Sequence, residues 1–450
     1  MEKATTGHDA KPRDGGLLER RDWEELERES RRVFALNEVE QGDIYYHMPS
    51  HLHYPSLFAW DSGFHAAAMS VLDSSRARRE LETLMRQVSS DGHLPHEVLL
   101  PNRGSHRWLR GLETRLVKWE FDGRGASFMI DPPIYHYAVE MVYRRCGDTA
   151  WLKRIWHPLR RCLDYLLRSR RLRGDGLVAV FHPWETGTDL SPQFFQALGL
   201  RDRGHTSAMR AELCPTLLYV FNRTLGWKPR RLAAADRFVC EDLTVNSIAA
   251  RACRSMAFLA GELGRRREEG EYGRRAGEIM RALDALCWDE RRGCYFPRFG
   301  YRRPRKASRR TAASLLPLFT GLCTRERARR MIEGHLLDEE GFWTPYPVPF
   351  NPEAEIAGAG PWVDRHLWSG HCVWVNFSWM LSIGLAEYGY LDEARELTRR
   401  VVRMVLREGF YEYYDSRSGE GRRIRDFCWP ALALEMMARF WPQAADACGA

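Results

Sequence analysis

"GHCVWVNFSWMLSIGLAEYG" (370–389), followed almost at once by "LDEARELTRRVVRMVLRE" (391–408), decides the fold. The first stretch is small, apolar and aromatic on every side and carries no acid or Arg between His371 and Glu387. The second repeats apolar residues at three- and four-residue spacing (Leu391, Ala394, Leu397, Val401, Val405) and puts Glu and Arg on its other face. A helix that is apolar all round is buried, whereas an amphipathic one shows a single face to water. The two together read as one inner and one outer helix joined by a short turn. Helical periodicity recurs at 21–39, 63–89 and 132–171, and in "LCPTLLYVFNRTLG", "VCEDLTVNSIAARACRSMAFLAGELG", "EYGRRAGEIMRALDALCW", "ASLLPLFTGLC" and "FCWPALALEMMARFW". Roughly a dozen helices in about six pairs predict an all-α (α/α)6 barrel, a six-hairpin toroid in one domain. A solenoid of stacked helix pairs would show self-similarity at a fixed period, and the sequence shows none.

The expected boundaries are a disordered polar tail at 1–18, the barrel at 19–442 and a short tail at 443–450. Hydrophobic residues make up 44% of the 450 and aromatics 12%, with 16 Trp, which fits a packed interior rather than a disordered chain. No run reaches the roughly 18 apolar residues of a membrane span, and the first residues lack an apolar leader, so a cytoplasmic location and no membrane partner are expected. The 11 Cys form no CxxC pair and read as reduced core residues, not metal ligands. Of the 68 basic residues 62 are Arg, and the net charge is +8. The runs RSRRLR (168–173) and YRRPRKASRR (301–310) invite a phosphate-binding reading. Acidic residues are interspersed and no nucleic-acid motif accompanies the runs, so no nucleic-acid partner is expected and 301–310 reads as a solvated surface loop. A homo-oligomer is left open.

Five connections are long and rich in aromatic and polar residues: 41–62, 90–131, 174–210, 342–369 and 408–426. Long ordered loops in a compact domain carry function, and these would wall a pocket if they emerged on one face. "YPSLFAWDSGFH" supplies Trp60 and Asp61, "SSDGHLPHEV" supplies His96, and "HPWETGTDLSP" (182–192) supplies Trp184, Glu185 and Asp189. "DRHLWSGHCVWVN" supplies Trp368, Gly370, Trp374 and Asn376, "GFYEYYD" supplies Tyr411, Glu412 and Tyr413, and "FCWP" supplies Trp429. Flat rings stack on the C–H faces of a sugar while carboxylates and amides hold its hydroxyls, so the mixture suggests carbohydrate recognition. Cleavage of a glycosidic bond needs one protonated carboxyl to release the leaving group and one ionised carboxyl to activate water, with no metal or other cofactor. Asp189 has Trp184 and Glu185 beside it to raise its pKa, and Glu412 lies on the last long connection, which a closed ring brings round to face a middle one.

The ordered blocks YPSLFAWDSGFH, DGHLPHE, DPPIYHYAVEMVYRRCGD, GDGLVAVFHPWETGTDLSP, VCEDLTVNSIAA, LLPLFTGL, WSGHCVWVN and GFYEYYD resemble the family 63 glycoside hydrolases that include mannosylglycerate and glucosylglycerate hydrolases, cousins of trehalase. The resemblance runs from about 45 to 440. It implies an (α/α)6 barrel and an inverting hydrolase of a small α-glycoside, with Asp189 as general acid, Glu412 as general base and Trp60 and Asp61 in the sugar subsite. The chain departs from the family pattern in four places. Ser369 and His371 replace an Arg and a Pro of the W-R-G-P block, Asp131 replaces the Gln of Q-P-P, Leu190 the Asn of D-N-S-P, and Cys428 and Pro430 the Ser and Thr of F-S-W-T.

Plainer roles stand beside these. Asp189 and Asp61 would help to cap helices that begin at Ser191-Pro192 and after Trp60. His96 would be a hydrogen-bonded structural histidine, Glu185 would orient its neighbours, and Asn246 would satisfy a loop backbone from inside a helix. The rival functions are a trehalase- or α-glucosidase-type oligosaccharide hydrolase, a same-fold isomerase or epimerase using His pairs, a sugar-binding protein that has lost turnover, and a polyanion-binding helical scaffold with one continuous Arg face.

Overall fold

The computed structural model describes residues 16–100, 121–200, 208–356 and 367–445. Its outer layer consists of α1 (Arg20–Asn37), α3 (Ser74–Met85), α5 (Thr149–Ser169), α9 (Arg266–Leu286), α10 (Arg325–Met331) and α12 (Leu391–Glu408). Its inner layer consists of α2 (Ala59–Leu72), α4 (Tyr135–Cys146), α8 (Leu243–Glu262), the 3-10 helix Ala312–Thr320, α11 (Val375–Glu387) and α13 (Leu432–Phe440). Each inner element packs on the next, and α13 packs back on α2, so the ring closes as an (α/α)6 barrel. The helices α6 (Ala208–Thr224) and α7 (Pro229–Ala235) are additions in the connection from α5 to α8.

The paired stretches 370–389 and 391–408 behave as their composition dictates. In α11 every residue from Val375 to Leu385 is buried. In α12 the buried residues are Ala394, Leu397, Thr398, Val401, Val402, Met404 and Val405, a single stripe. The stretch 63–89, read as one helix, is two. Asp73 ends α2 and caps α3, accepting from the N–H groups of Ser75 and Arg76 and turning the chain from the inner to the outer layer. Gly63 allows α2 and α4 to touch: a Cβ there would lie 2.7 Å from Ile134 Cγ2 and 2.9 Å from the Tyr135 nitrogen.

Of the expected tails, residues 1–15 and 446–450, with Cys448, lie outside the described residues. Leu18 and Ala444 are buried in the core, so the packed chain reaches slightly past both expected boundaries. Eight of the ten described cysteines are buried and all ten are free thiols. Among the described residues no helix is long and apolar enough to cross a membrane. The basic run 301–310 lies at the surface from Arg302 to Lys306. In 168–173, by contrast, Arg170 is turned inward and Arg173 pairs with Glu241. Asn246 sits inside α8 and exchanges hydrogen bonds with the backbone of Val178 in both directions, at 2.8 and 2.9 Å.

Candidate active site

All five long connections deliver side chains to one hollow at the end of the ring where the inner helices begin. Tyr54, Phe58, Trp60 and Asp61 come from the first, and His96 and Asp131 from the second. Trp184, Gly187 and Asp189 come from the third, Leu367 and Trp368 from the fourth, and Glu412 from the fifth; Trp374 and Trp429 complete the wall. The hollow holds about 680 Å³ including its open mouth, which suits a ligand the size of a small glycoside.

The wall is a relay of indoles. Trp60 meets Trp429 edge-on at 5.1 Å, Trp429 lies 5.6 Å from Trp374, and Trp374 stacks on Trp368 at 3.8 Å with Tyr413 behind it at 5.0 Å. The acid-bearing loop is pressed against this wall. His182 accepts from the Trp184 N–H at 3.2 Å and donates through Nε2 to the Pro215 carbonyl at 2.8 Å, capping the 3-10 turn Pro183–Thr186. Gly187 ends that turn at φ +69°, and a Cβ there would fall 2.3 Å from the Trp60 ring. The next turn begins at Ser191-Pro192 without a side-chain cap, so Asp189 is not spent on capping.

Asp189 is half-buried and Glu412 is 4% exposed. Burial pushes the Asp189 carboxyl up to about 7, with the Glu412 charge adding to the rise and Arg423 opposing it. The charge beside it is thus Glu412, and the expectation that Glu185 would supply it is corrected. Glu185 points away from the hollow. It is fully buried and forms a bidentate pair with Arg170 at 3.0 and 2.8 Å, and it also accepts the Phe181 N–H at 2.7 Å. This pair ties the end of α5 to the acid loop. Breaking a buried pair strands a charge at a cost of about 3–5 kcal/mol. Glu185→Gln is therefore expected to lower the urea-unfolding free energy by an amount of that order, while Trp184→Phe leaves it nearly unchanged.

Glu412 is held differently from Asp189. Its Oε1 accepts from Arg423 Nη1 at 2.7 Å and from the Tyr54 hydroxyl at 3.1 Å, and Arg423 also donates to Tyr54 at 2.7 Å. Its Oε2 is buried with no hydrogen-bond partner among the described residues. Burial pushes the carboxyl up to about 7, and Arg423 and Tyr54 pull it back. Arg423 reaches it from the hairpin Tyr411–Asp415/Gly421–Arg425, where the register shifts between Tyr411 and Tyr413 and Arg423 takes φ +65°. A side chain held in that region marks a place where the surrounding structure imposes the geometry.

Two further carboxyls line the hollow. Burial lifts Asp61 to about 7 against the pull of His65 and Trp429. It lifts Asp131 well above the usual range, with a Trp60 N–H at 3.0 Å opposing. Asp61 sits in the first turn of α2, but Phe58, not Asp61, occupies the cap position. His96 donates to or accepts from Ser127 Oγ at 2.6 Å, and burial lowers its pKa to about 3, so it faces the hollow uncharged.

Five expected contacts lie outside the lining. Asn376 accepts the Phe377 N–H within its own helix turn at 2.9 Å, and the Gly370 carbonyl accepts from Asn351 at 3.0 Å. Tyr413 supports Trp374 from behind, Tyr411 lies over Gly421, and Glu185 holds Arg170. Tyr54, Asp131 and Arg423 were not among the expected residues. The first two stand inside quoted blocks, and nothing in GRRIRD singles out the third. Ser369, in place of an Arg, donates to the Leu190 carbonyl at 2.6 Å and becomes a strut between the Trp368 turn and the acid loop.

A closed ring of six helical hairpins, opening at the helix starts onto an indole-walled hollow with paired carboxyls, has the form of the (α/α)6 glycoside hydrolases. The model of the mannosylglycerate hydrolase MGH1-like glycoside hydrolase domain matches residues 54–430, and the chain belongs to that family. Mannosylglycerate hydrolase MGH1 of Selaginella moellendorffii is 29% identical over 435 residues, 89% of this chain and 83% of the relative. The mannosylglycerate hydrolase of Thermus thermophilus is 29% identical over 444 residues, 93% of this chain and 99% of the relative. The crystal structure of a GH63 mannosylglycerate hydrolase from Thermus thermophilus in complex with Tris and D-glycerate matches with TM-score 0.78 at 27% identity, covering 93% of this chain and all of that one. The chain is a glycoside hydrolase.

Proposed function

We propose that the chain hydrolyses a small α-glycoside with an anionic, glycerate-type aglycone, inverting the anomeric centre, with Asp189 as general acid and Glu412 as general base. The observation that carries this reading is the asymmetry of the two carboxyls. Glu412 Oε1 is anchored by a cation and a hydroxyl, which favours its ionised form, and Oε2, buried without a partner among the described residues, is left to take a proton from a water seated in the hollow. Asp189 takes no hydrogen bond from a cation or hydroxyl among the described residues, and burial, with Glu412 adding to it and the more distant pull of Arg423 opposing, lifts its carboxyl to about 7 so that it keeps its proton near neutral pH. In the reaction Asp189 gives its proton to the glycosidic oxygen as the C1–O bond breaks. Glu412 takes a proton from the water whose oxygen bonds to C1 from the other side, and both carboxyls then exchange protons with solvent. The Trp60, Trp374 and Trp429 rings form the apolar wall for the sugar, with Asp61 and Asp131 as hydroxyl partners. Arg423, 42% exposed while bound to Glu412, offers further N–H groups to an anionic aglycone.

The test is a panel of mannosylglycerate, glucosylglycerate, trehalose and α-glucosyl disaccharides, with the released sugar followed by proton NMR in the first minutes. The expected result is the β-anomer released first, from a glycerate glycoside in preference to trehalose. The α-anomer released first would refute inversion, and preference for trehalose would refute the anionic aglycone.

A further inference from the structure

The barrel has a second chamber. Phe64, Tyr137, Phe319 and Trp379 meet across the middle of the ring, with Trp379 at 5.9, 5.8 and 6.1 Å from Phe64, Tyr137 and Phe319, and close it with an aromatic floor. Below the floor, toward the ends of α4 and α11, lies a cavity of about 920 Å³ with open solvent included. Five arginines line it, Arg144, Arg145, Arg251, Arg254 and Arg439, against three glutamates, Glu140, Glu387 and Glu435.

The glutamates are already engaged. Glu387 Oε1 takes both Arg251 and Arg254, the latter at 3.2 Å. Glu435 takes Arg439 and the Trp379 indole N–H, each at 2.6 Å, and Glu140 takes Arg144 at 2.8 Å. The guanidiniums are not used up. Each has five N–H donors; among the described residues Arg251 Nε is buried without a partner and Arg145 makes no ion pair or hydrogen bond. Several are also held in place before any ligand arrives. Arg144 lies 3.7 Å over Phe258, Arg251 lies 4.3 Å over Tyr137, and Arg254 is anchored on the Thr320 carbonyl. Gly321, at φ +64°, clears the room: a Cβ there would collide with both Arg254 and Glu387. Fixed guanidinium forks with spare donors and a surplus of positive charge match the oxygens of a compact polyvalent anion.

We propose that this lower chamber is a binding site for a small polyvalent oxyanion, a phosphate ester or a polycarboxylate, separate from the glycoside pocket. The experiment is calorimetric titration of the full chain at low ionic strength with sodium pyrophosphate and, separately, with citrate. The expected result is saturable binding of one anion per chain, weakened about tenfold by Arg145→Ala and roughly a hundredfold by Arg145→Ala/Arg254→Ala, and unchanged by Asp189→Asn. Binding of pyrophosphate alone would identify the ligand as phosphate-type, and binding of citrate alone as polycarboxylate; either supports the site. Circular dichroism checks that the variants fold, and exposed Arg145, without partners to lose, gives the safer of the two. No saturable heat with either anion, or affinities equal in the wild type and the folded double variant, would reduce the chamber to an ion-pair network and overturn the proposal.

Discussion

Asp189→Asn is expected to lower kcat on a natural glycoside by about 10³-fold or more, near the upper range for loss of a general acid, while leaving the fold intact. The signature that separates this role from a structural one is the leaving group. An α-glycosyl fluoride departs without protonation, so most of the deficit should disappear on that substrate, whereas a variant with a disturbed pocket stays slow on both. Stability gives a second check, with a definite sign. The Asp189 carboxyl rises from an ordinary value near 4 to about 7 on folding. Between those values the folded chain binds more protons than the unfolded one, so this group's contribution falls as pH rises through that window. Asn lacks the penalty, and Asp189→Asn should melt no lower than wild type at pH 8. A variant that retains wild-type kcat on the natural substrate would remove Asp189 from the chemistry.

Where residues act through local pattern, the sequence was a good guide. The buried character of 375–385 and the stripe along 391–408 follow from which side chains tolerate water, and that sorted inner from outer helices before any contact was known. The five long connections were legible for the same reason: a segment with neither helical nor strand periodicity, yet dense in indoles and acids, must bury them against something. Glu185 shows the limit. Its sequence neighbourhood is that of Asp189, but it turns inward because Arg170, in a basic run that invites a phosphate-binding reading, ends α5 directly behind it. Neither half of a buried pair shows its burial in the chain until both are placed. The break at Asp73 was hidden because a helix end and a new cap fit in one residue, with the helical spacing continuing across it. Arg423 was invisible because a bulge and a positive φ direct it, and neither is encoded in its own identity or in that of its neighbours.

Glu412→Gln should cost at least as much as Asp189→Asn, and the fluoride should not rescue it. Gln keeps the shape and offers a carbonyl oxygen to Arg423 and Tyr54, so the anchor on the first oxygen survives; what is lost is the ability of the second to take a proton from water. Both substrates need that water, so both should slow by about 10³-fold or more. The wild-type kcat/KM should follow a bell centred near pH 7, since both carboxyls are lifted to about that value and the pair titrates as a unit. Its acid limb marks protonation of the base. Burial pushes both carboxyls up and Arg423 pulls both down, so removal of the guanidinium in Arg423→Met should move both limbs to higher pH, the acid limb further because Arg423 is hydrogen-bonded to Glu412. Tyr54→Phe should move the acid limb in the same direction by less, because a neutral donor is lost instead of a charge. An acid limb that stays in place in both variants, or Glu412→Gln activity that returns on the fluoride, would mean that another group prepares the water.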